Sequence, residues 1–502
     1  MILAGSYGVG WLVTISPLSR WELLLPLRTT TTGVTVSTVL LTLGCWVMFH
    51  AWLRLRSEQS LRRVTRAAAL WILPQLFVLP IFSRDVFAYL NQGRLVLAGE
   101  DPYTTGVSTL ENWFQLGTDI VWAEDATPYG PMFLWLEAAV MRVSADQPDL
   151  AVLLFRLACA AGVVLLMICV PKLASLLGTD PARAQWLTAA NPLLIISFVS
   201  SVHNDALMIG FALAGVWLAA TADRHRGRGV LAVLLVTLSI GVKPITMVLL
   251  PFIGLLWASG SCRAAGTELT WLRGLRHWAW TLLISAAVML GVGLVSVAGG
   301  EGYGFGWLAV MAGTGTGSVL WSPVGLADAL LTGALMLFGL PHEWTLEVLR
   351  TLGRAVSVVV VLVLMLRPVP AFASAAVDPD LLHRRVVLTR MTWAFAALVL
   401  LSPVIQPWYL LWLLPLTAVL GIGLQGRWLS AFALVTAFFL AFGAADQLSV
   451  WQFLELGPLS METAMMILSL AVSAAALGCL FALPRSRRML LGEVPPAGGA
   501  RG

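Results

Sequence analysis

The chain has 502 residues, of which 59% are hydrophobic and only 11% are charged. Soluble domains carry about 25% charged residues, so this composition excludes nearly every water-soluble fold. The formal net charge is +5, but the basic residues lie in short clusters between apolar segments, which indicates membrane orientation and not nucleic-acid binding. We therefore predict an all-α polytopic membrane protein.

Apolar segments follow one another along the whole chain. About 20 apolar residues form a helix long enough to cross about 30 Å of hydrocarbon. We predict about 14 crossings, in a range of 13–15 transmembrane helices. The first segment lacks the basic leader of a signal peptide, so we interpret it as a span. The predicted spans are residues 2–16, 34–53, 67–82, 150–170, 186–202, 205–222, 229–242, 244–258, 278–298, 345–366, 389–403, 408–424, 428–445 and 461–483.

Five basic clusters next to span ends fix the predicted orientation. The positive-inside rule assigns them to the cytoplasmic side. They are Arg54, Arg56, Arg62, Arg63 and Arg66; Arg224, Arg226 and Arg228; Arg263, Arg273 and Arg276; His383, Arg384 and Arg385; and Arg485, Arg487 and Arg488. Residues 83–149 and 299–344 are then long extracytoplasmic loops of a single catalytic domain, 1–484, with a cytoplasmic tail at 485–502.

Two further segments are apolar enough to enter the membrane but do not fit as crossings. Residues 324–340 would place the following arginines on the wrong side, so we predict a re-entrant or membrane-parallel segment. Residues 131–143 lie within the first long loop and have a helical period, with Glu137 and Arg142 opposite the apolar face. That pattern predicts an interfacial helix.

A group of polar residues follows the third predicted span, in the sequence SRDVFAYLNQG from Ser83 and in GEDPY from Gly99. Asp85 stands at the mouth of the span, where partial shielding from water suits a general base or a ligand for sugar hydroxyls. It is the leading catalytic candidate. The alternative, that Arg84 and Asp85 only mark where the helix meets the headgroups, stays open. Asp101, before Pro102, is typical of a turn.

A second polar group stands between two apolar segments, as His203, Asn204 and Asp205. The imidazole exchanges a proton near neutral pH, so this turn is a candidate for function as well as for a helix cap. Lys243 likewise lies between apolar stretches, where a lysine either extends to the interface or binds an anion such as phosphate.

The last outer turn, SPVIQPWY, contains Gln406, Trp408 and Tyr409. Aromatic residues at an interface form the aromatic belt or stack on sugar rings, and Gln406 offers hydrogen bonds to hydroxyls. The five cysteines have no CxxC or Cys/His spacing, so we expect no metal site.

Five motifs together, SRDVFAYLNQG, GEDPY, ATPYGP, SVHNDALM and SPVIQPWY, resemble the polyprenol-phosphate-mannose-dependent α-(1→6)-mannosyltransferases of mycobacteria and corynebacteria. This is the MptA/MptB family, which has the GT-C fold. The resemblance runs in order from about Val34 to Arg485. It implies a plasma-membrane enzyme with an extracytoplasmic active site, a polyprenyl-phosphate-mannose donor and a growing α-(1→6)-mannan acceptor in lipomannan and lipoarabinomannan synthesis.

The resemblance also implies roles for individual residues. The acid of the first outer loop matches Asp85 as catalytic carboxylate, and the chemistry inverts a β-mannosyl phosphate to an α-mannoside without a metal or cofactor. Lys243 or Arg84 would bind the leaving phosphate. His203 is the alternative base. The sugar and acceptor sites would be lined by Tyr89, Gln92, Asp101, Tyr103, Tyr129, Asn204, Asp205, Gln406, Trp408 and Tyr409.

A membrane transporter or a flippase for lipid-linked sugars is the alternative class. Such proteins also have many spans and a few polar residues, but they often show inverted repeats and polar residues at mid-span depth. In this chain no two halves match, and the polar motifs fall at one predicted membrane face. Those two features favour the transferase.

Overall fold

The computed structural model of the chain describes residues 1–222, 226–298, 304–309, 318–367, 378–447, 455–456 and 459–491. Some predictions fall partly outside these residues. They are the basic cluster at Arg224, the second long loop at 310–317 and 299–303, and the tail at 492–502. The regular secondary structure of the described residues is helical apart from one pairing of two short strands, Glu455–Leu456 with Leu459–Ser460.

Buried apolar residues from most of the helices pack against one another in a single continuous core. In chain order they are α1 Ile2–Val9, α2 Leu25–Thr29, α3 Thr31–Leu55, α4 Leu61–Gln75, α5 Asp85–Leu97, α6 Pro131–Ser144, α7 Pro148–Leu176, α8 Pro181–Leu187, α9 Pro192–Ile195, α10 Asp205–Ala220, α11 Arg226–Val242, α12 Leu250–Ala264, α13 Trp271–Ala298, α14 Pro323–Leu337, α15 Thr345–Leu366, α16 Pro379–Leu400, α17 Leu410–Val419, α18 Gly426–Asp446, α19 Met461–Ala482 and α20 Pro484–Leu490.

The described residues contain seven helices long and apolar enough to cross a membrane. They are α3, α7, α12 together with its preceding 3₁₀ turn, α13, α15, α18 and α19. Three shorter apolar helices, within α11, α14 and the segment Pro407–Val419, add to these. The prediction of an all-α polytopic membrane protein is therefore confirmed. The predicted 13–15 crossings exceed the seven long helices and would have to include shorter helices as well.

The predicted spans 186–202 and 205–222 form one bent unit. Pro192–Ser200, which ends in a π-helical turn, and α10 meet at an angle of 115° across the residues between them. The first of these predicted spans is wrong as a continuous helix, because α8 ends at Leu187 and Pro192 begins a new helix. The break exposes backbone groups that need partners, and the polar turn at His203 stands at this break.

Two other predicted spans differ from the helices that the structure contains. Residues 2–16 do not form a span, because α1 has only eight residues and ends before Gly10. At a rise of about 1.5 Å per residue, such a helix is too short to cross the hydrocarbon. The predicted span 67–82 is displaced, because α4 runs from Leu61 to Gln75 and the chain then leaves the helix.

The predicted interfacial segment 131–143 is a helix, but its faces are not as expected. Glu137 is completely buried and Arg142 is exposed, so the predicted polar face is wrong for Glu137. The backbone of Gly93 in α5 packs directly on the backbone of Glu137, which turns that side of α6 inward. Burial raises the pKa of the Glu137 carboxyl well above its ordinary value, which favours the neutral acid.

The segment predicted at 324–340 contains most of the helix α14. The residues before this helix form hydrogen bonds to the turn at residues 402–409. The Ser322 hydroxyl donates to the Pro403 carbonyl at 2.7 Å, and the Trp321 indole donates to the Ile405 carbonyl at 2.6 Å. These contacts hold the start of α14 at the end of the molecule that also carries residues 402–409. Whether this segment crosses the membrane stays a prediction.

Helices α7 and α10 approach each other through small residues. A β-carbon on Gly162 would lie 2.3 Å from the Ala206 carbonyl oxygen, and one on Gly210 would lie 2.7 Å from the Gly162 carbonyl oxygen. Membrane helices pack closely through such small residues, because apolar side chains gain little by leaving lipid. The close approach sets the first turn of α10, with Asp205, against α7.

Candidate functional site

The candidate site is built where helices begin or end. Asp85 begins α5, Asp205 begins α10, Lys243 follows α11, and Tyr409 directly precedes α17. Each polar residue sits at an interruption in an apolar stretch, where the backbone turns and side chains from several elements converge.

Two of these turns are entered through a left-handed residue that is not glycine. Phe82 has a φ of 65° three residues before Asp85, and Val202 has a φ of 63° immediately before His203. A β-branched residue such as valine rarely adopts this conformation, which costs about 1–3 kcal/mol. Such strain persists only where the surroundings impose it, and both corners here aim polar side chains at the same point.

Asp85 and His203 face each other across the site. The Asp85 Oδ2 atom lies 3.4 Å from the His203 Nδ1 atom, with the imidazole buried and the carboxylate partly exposed. The Asp85 backbone N–H donates to the Ser83 hydroxyl at 3.1 Å, which fixes the start of α5. The imidazole ring also stacks on Trp408, with ring centroids 3.6 Å apart. The structure therefore brings the two predicted bases together.

The charge state of Asp85 follows from these neighbours. Burial by itself raises the pKa of the Asp85 carboxyl, but the nearby His203, the Lys243 ammonium and the Ser83 hydroxyl together lower it by more. The net effect places the pKa of Asp85 below its ordinary value. The ionised form of the carboxylate is consequently favoured.

Lys243 forms a buried ion pair with Asp205. Its Nζ atom lies 2.7 Å from the Asp205 Oδ1 atom, and the Trp412 indole donates to the same oxygen at 2.7 Å. The Asp205 side chain is fully buried. A buried carboxylate requires such partners, since removing one of them leaves an uncompensated charge. The ammonium retains two further N–H donors for another acceptor.

Three aromatic rings enclose the Lys243 ammonium. It lies 5.4 Å from the ring centroid of Tyr129, 5.7 Å from that of Tyr409 and 5.4 Å from that of Trp412. Tyr409 and Trp412 stack on each other with centroids 4.1 Å apart. Each ring attracts a cation through its quadrupole, and the attraction strengthens when water is excluded. The rings and Asp205 together hold the ammonium in one place.

Tyr129 reaches this position because two glycines allow the first loop to touch α11. The Gly130 backbone N–H donates to the Val242 carbonyl at 2.8 Å. A β-carbon on Gly130 would lie 2.4 Å from the Gly241 carbonyl oxygen, which is far inside any normal contact. Only glycine fits here, and its neighbour in sequence is the tyrosine that covers Lys243.

Replacing Gly130 with alanine is expected to force the loop away from α11. Because the obstructing atoms belong to the backbone, they cannot move aside cheaply, and overpacking of this kind costs about 1–3 kcal/mol. Thermal unfolding of the purified protein measures the loss. Gly227→Ala in α11 is the matched control, because nothing lies within 4 Å of the added carbon. Equal midpoints for the two variants would contradict the close approach.

Several polar atoms at the site have no partner among the described residues. They are both amide atoms of Asn204, the Asp205 Oδ2 atom and the Trp408 Nε1 atom, none of which has a hydrogen bond there. Buried polar groups without partners are uncommon, because each loses its hydrogen bonds to water. A concentration of donors and acceptors around one point is what a polar ligand such as a sugar or phosphate requires.

Arg84 has a different environment from the predicted one. Its guanidinium donates twice to the Gly117 carbonyl, at 3.0 and 2.7 Å, and lies 3.5 Å from the Asp119 carboxylate. It also stacks over the Trp11 ring at 4.8 Å. The structure thus directs Arg84 at the loop around residues 117–119 and not at Lys243.

Four of the predicted sugar-binding residues contact the protein itself. Tyr89 is fully buried among aromatic rings, and its hydroxyl accepts the Asn204 backbone N–H at 3.4 Å. The Tyr103 hydroxyl donates to the Tyr129 carbonyl at 2.8 Å, and Asp101 accepts the Tyr103 backbone N–H at 2.9 Å. The Gln92 amide oxygen accepts from a threonine hydroxyl at 3.2 Å. These residues surround and support the site.

Gln406 begins the 3₁₀ turn Pro407–Tyr409 and is partly exposed next to Trp408. It therefore lies at the rim of the group formed by Asp85, His203, Asn204, Asp205, Lys243, Tyr129, Trp408 and Tyr409.

Sequence reasoning missed two residues. Trp412 lies one helical turn after Tyr409 in an apolar stretch, and its contact with Asp205 becomes visible only in three dimensions. Arg156 lies in α7 and is the one charged residue of the predicted span 150–170. A single arginine in a transmembrane segment is itself a signal of function, and that signal was available in the sequence.

Comparisons with known proteins agree on one family. The profile of the family described as "Alpha-(1->6)-mannopyranosyltransferase, N-terminal domain" matches residues 1–259. "Alpha-(1->6)-mannopyranosyltransferase A" of Mycobacterium tuberculosis is 31% identical over 409 residues, which cover 78% of this chain and 72% of the relative. The chain belongs to the alpha-(1->6)-mannopyranosyltransferase family. The resemblance found in the motifs is confirmed.

A second relative supports the same assignment. The "Probable alpha-(1->6)-mannopyranosyltransferase" of Mycolicibacterium smegmatis is 33% identical over 423 residues, covering 76% of this family member and 71% of the relative. The profile includes Asp85, His203 and Lys243, whereas Trp408 and Trp412 lie beyond it. No solved structure matches this family member. Its relation to the GT-C fold therefore stays a prediction.

Proposed function

We propose that this family member transfers mannose from a polyprenyl-phosphate-mannose donor to the 6-hydroxyl of an α-(1→6)-mannan acceptor of the lipomannan type. Family membership supports a mannosyltransferase. The donor is argued from the site, where a partly exposed carboxylate and a buried ammonium lie on apolar helices. The observation that carries the proposal is the meeting of the Asp85–His203 pair with the Lys243–Asp205 pair. This arrangement offers a base and a cation to one ligand.

In the proposed reaction, the Asp85 carboxylate accepts the proton of the acceptor's 6-hydroxyl. That oxygen forms a bond to the anomeric carbon of mannose, while the bond from this carbon to the phosphate oxygen breaks on the opposite face. The electron pair leaves with the polyprenyl phosphate, so a β-mannosyl phosphate becomes an α-mannoside. A base and its target must lie within hydrogen-bonding reach, and the partly exposed side of Asp85 permits this.

Lys243 is the proposed partner of the leaving phosphate. Asp205 accepts one of the three N–H donors of the ammonium, so the two remaining donors are available to phosphate oxygens. A fixed cation in a site with little water stabilises a growing negative charge more than it would in solution. The unpartnered Asn204 amide and Trp408 indole are proposed to bind sugar hydroxyls.

Arg84 takes a supporting role in this proposal. Its bonds to Gly117 and Asp119 hold the loop that follows α5, and it directly precedes Asp85. We also propose that no metal or cofactor takes part, since a donor with one phosphate places less charge on the leaving group than a pyrophosphate. In the described part of the chain, no group of three or more His, Cys, Asp or Glu side chains is arranged to hold a metal ion.

The proposal places the site on the extracytoplasmic face of the plasma membrane. The basic clusters at the opposite ends of the predicted spans support this orientation. A membrane-anchored donor and a water-soluble mannan chain then meet at the Asp85 end. Accessibility labelling of a cysteine placed at exposed Asp125, in the same loop, tests the orientation. Labelling from the cytoplasmic side alone would contradict it.

The test of function is transfer by purified protein in nanodiscs. Polyprenyl-phosphomannose and a short α-(1→6)-mannoside are supplied with EDTA, and the product's new anomeric centre is assigned by NMR. We expect an acceptor longer by one α-linked mannose. A β-linked product would contradict inversion, and dependence on added divalent metal would contradict the metal-free reaction. Movement of the lipid-linked sugar across proteoliposomes without transfer would support a flippase.

Replacing His203 with alanine is expected to move the acidic limb of the pH profile of kcat/KM to higher pH. Activity needs the Asp85 carboxylate and falls as pH drops through its pKa. Burial raises that pKa, and His203 is one of the groups that lower it, so its loss raises the pKa of Asp85. The pH profile of the variant measures the shift.

His203→Gln is the matched variant, because it keeps a polar side chain but removes any positive charge. It is expected to shift the limb in the same direction. An unmoved limb in both variants would contradict the coupling to Asp85. Complete loss of transfer in both, at every pH, would identify His203 as the base instead.

A further inference from the structure

Arg156 is a buried arginine whose hydrogen bonds, within the described part of the chain, go to backbone carbonyls of other segments. It lies in α7 with 4% of its surface exposed. Its Nε atom donates to the Val199 carbonyl at 3.0 Å, and its two terminal nitrogens donate to the Leu76 carbonyl at 3.1 Å and the Ser200 carbonyl at 3.2 Å. An arginine in a membrane-spanning helix is costly unless such partners satisfy it.

The three carbonyls belong to helix ends that have no helical partner for them. Leu76 directly follows α4, and Val199 and Ser200 close the π-helical turn before the break at His203. The last carbonyls of a helix lack intrahelical donors, and the helix dipole makes that end negative. In a membrane, water does not supply the missing donors. One guanidinium thus satisfies two helix ends at once.

Two serine side chains join the same two segments. The Ser200 hydroxyl donates to the Gln75 side-chain oxygen at 2.8 Å, and the Ser201 hydroxyl donates to the Ile81 carbonyl at 2.6 Å. Ile81 directly precedes the left-handed corner at Phe82. The segment 75–81 is therefore held against the segment 199–201 along its length.

These two segments carry the candidate bases. Asp85 follows the segment 75–81 by four residues, and His203 follows the segment 199–201 by two. Both connections pass through a left-handed residue with little freedom, so a shift of either segment is passed on to its carboxylate or imidazole. The 3.4 Å separation between Asp85 and His203 thus depends on contacts that neither residue makes itself.

We propose that Arg156 is a positioning residue, which sets the separation of Asp85 and His203 by holding together the two chain segments that carry them. It touches neither reacting group. The kinetic part of this inference rests on the proposed function, whereas its structural part does not. Arginine is required because its planar fork presents several donors in fixed directions, while a lysine ammonium cannot reach three carbonyls around it with the same geometry.

The test compares Arg156→Met, Arg156→Lys and Ser201→Ala with wild type. A displacement of about 1 Å at a reacting group lowers the rate by about 10²-fold. We expect kcat for mannose transfer to fall by about that factor in both arginine variants and by less in Ser201→Ala. We expect KM for the acceptor to change little, because the acceptor contacts other residues. A loss of fold alone would not separate kcat from KM in this way.

Hydrogen exchange of the same proteins gives a second measurement that needs no activity. We expect faster exchange in 77–84 and 197–204 together, and unchanged exchange in α18 and α19. The matched control is Arg56→Met, which removes another buried arginine bonded to a carbonyl, that of Leu424. Arg56 directly follows α3 and belongs to a predicted cytoplasmic basic cluster, away from the site. We therefore expect Arg56→Met to leave kcat for mannose transfer unchanged.

The possible outcomes separate this inference from the proposed function. Wild type without transfer would contradict the function, and the exchange data would still test whether Arg156 holds the two segments together. Wild type with transfer, and variants with unchanged kcat, would overturn the positioning role of Arg156. Faster exchange throughout the chain would also overturn it, because Arg156 would then serve only general stability. If the arginine variants do not fold, Ser201→Ala decides by its kcat and by exchange in 77–84.

Discussion

Replacing Asp85 with asparagine is expected to lower kcat for mannose transfer by about 10³-fold, with the fold intact. Asparagine keeps the size of the side chain but cannot accept the acceptor's proton, and general base catalysis contributes about 10²–10⁴-fold. Asp85 is partly exposed, and its backbone N–H contact with Ser83 does not involve the carboxylate. The measurement is single-turnover transfer with the donor saturating, so that binding does not limit the rate.

The matched control is Asp125→Asn, an exposed carboxylate of the same loop. It is expected to transfer at the wild-type rate, which excludes a general effect of loop charge. The fold of both variants is compared by thermal unfolding. Asp85→Asn with a rate close to wild type would contradict the proposed base and would direct attention to His203, which lies 3.4 Å away.

Replacing Lys243 with methionine is expected to destabilise the protein by about 3–5 kcal/mol, because Asp205 remains as a buried charge with only Trp412 as partner. Adding Asp205→Asn removes that charge and is expected to restore most of the stability. Transfer by the double variant is nevertheless expected to stay about 10²–10³-fold below wild type, since the phosphate loses its cation. Unfolding in SDS and single-turnover transfer measure the two effects.

This pair of variants separates a counter-ion from a ligand for phosphate. A double variant that is both stable and fully active would show that Lys243 serves only Asp205. Lys172→Met is the control, because Lys172 also lies over an aromatic ring, that of Trp217 at 4.2 Å, but it is exposed on α7. We expect it to change stability and transfer little.

The positions at which apolar stretches are interrupted could be read from the sequence. Asp85, the turn at His203 and Lys243 each interrupt such a stretch, and charged or polar groups at these places are costly without partners. Helix ends in lipid must satisfy their own backbone groups, so polar residues gather there. The helical class of the protein follows from the same rule, because 11% charged residues indicate a chain in lipid, where a helix pairs its own backbone groups.

Helix bounds were predicted less well, for physical reasons. Residues 2–16 are apolar enough for a span, yet α1 ends at Val9 and Gly10 is extended. Glu137 was placed on the outer face from its helical period, but α5 covers that face and buries the carboxyl. The hydrophobic pattern of a segment indicates its average environment. It does not indicate which neighbouring element covers each residue.

The sequence by itself determined the membrane class, the family and the residues that interrupt the helices. Only the tertiary structure decided their partners: Asp85 with His203, Lys243 with Asp205, and Arg84 with the loop at Gly117. The physical reason is that these pairs join residues 33 to 118 positions apart, from helix ends whose directions depend on packing. Interruption of a helix is a local property, whereas the meeting of two interruptions is decided by the whole bundle.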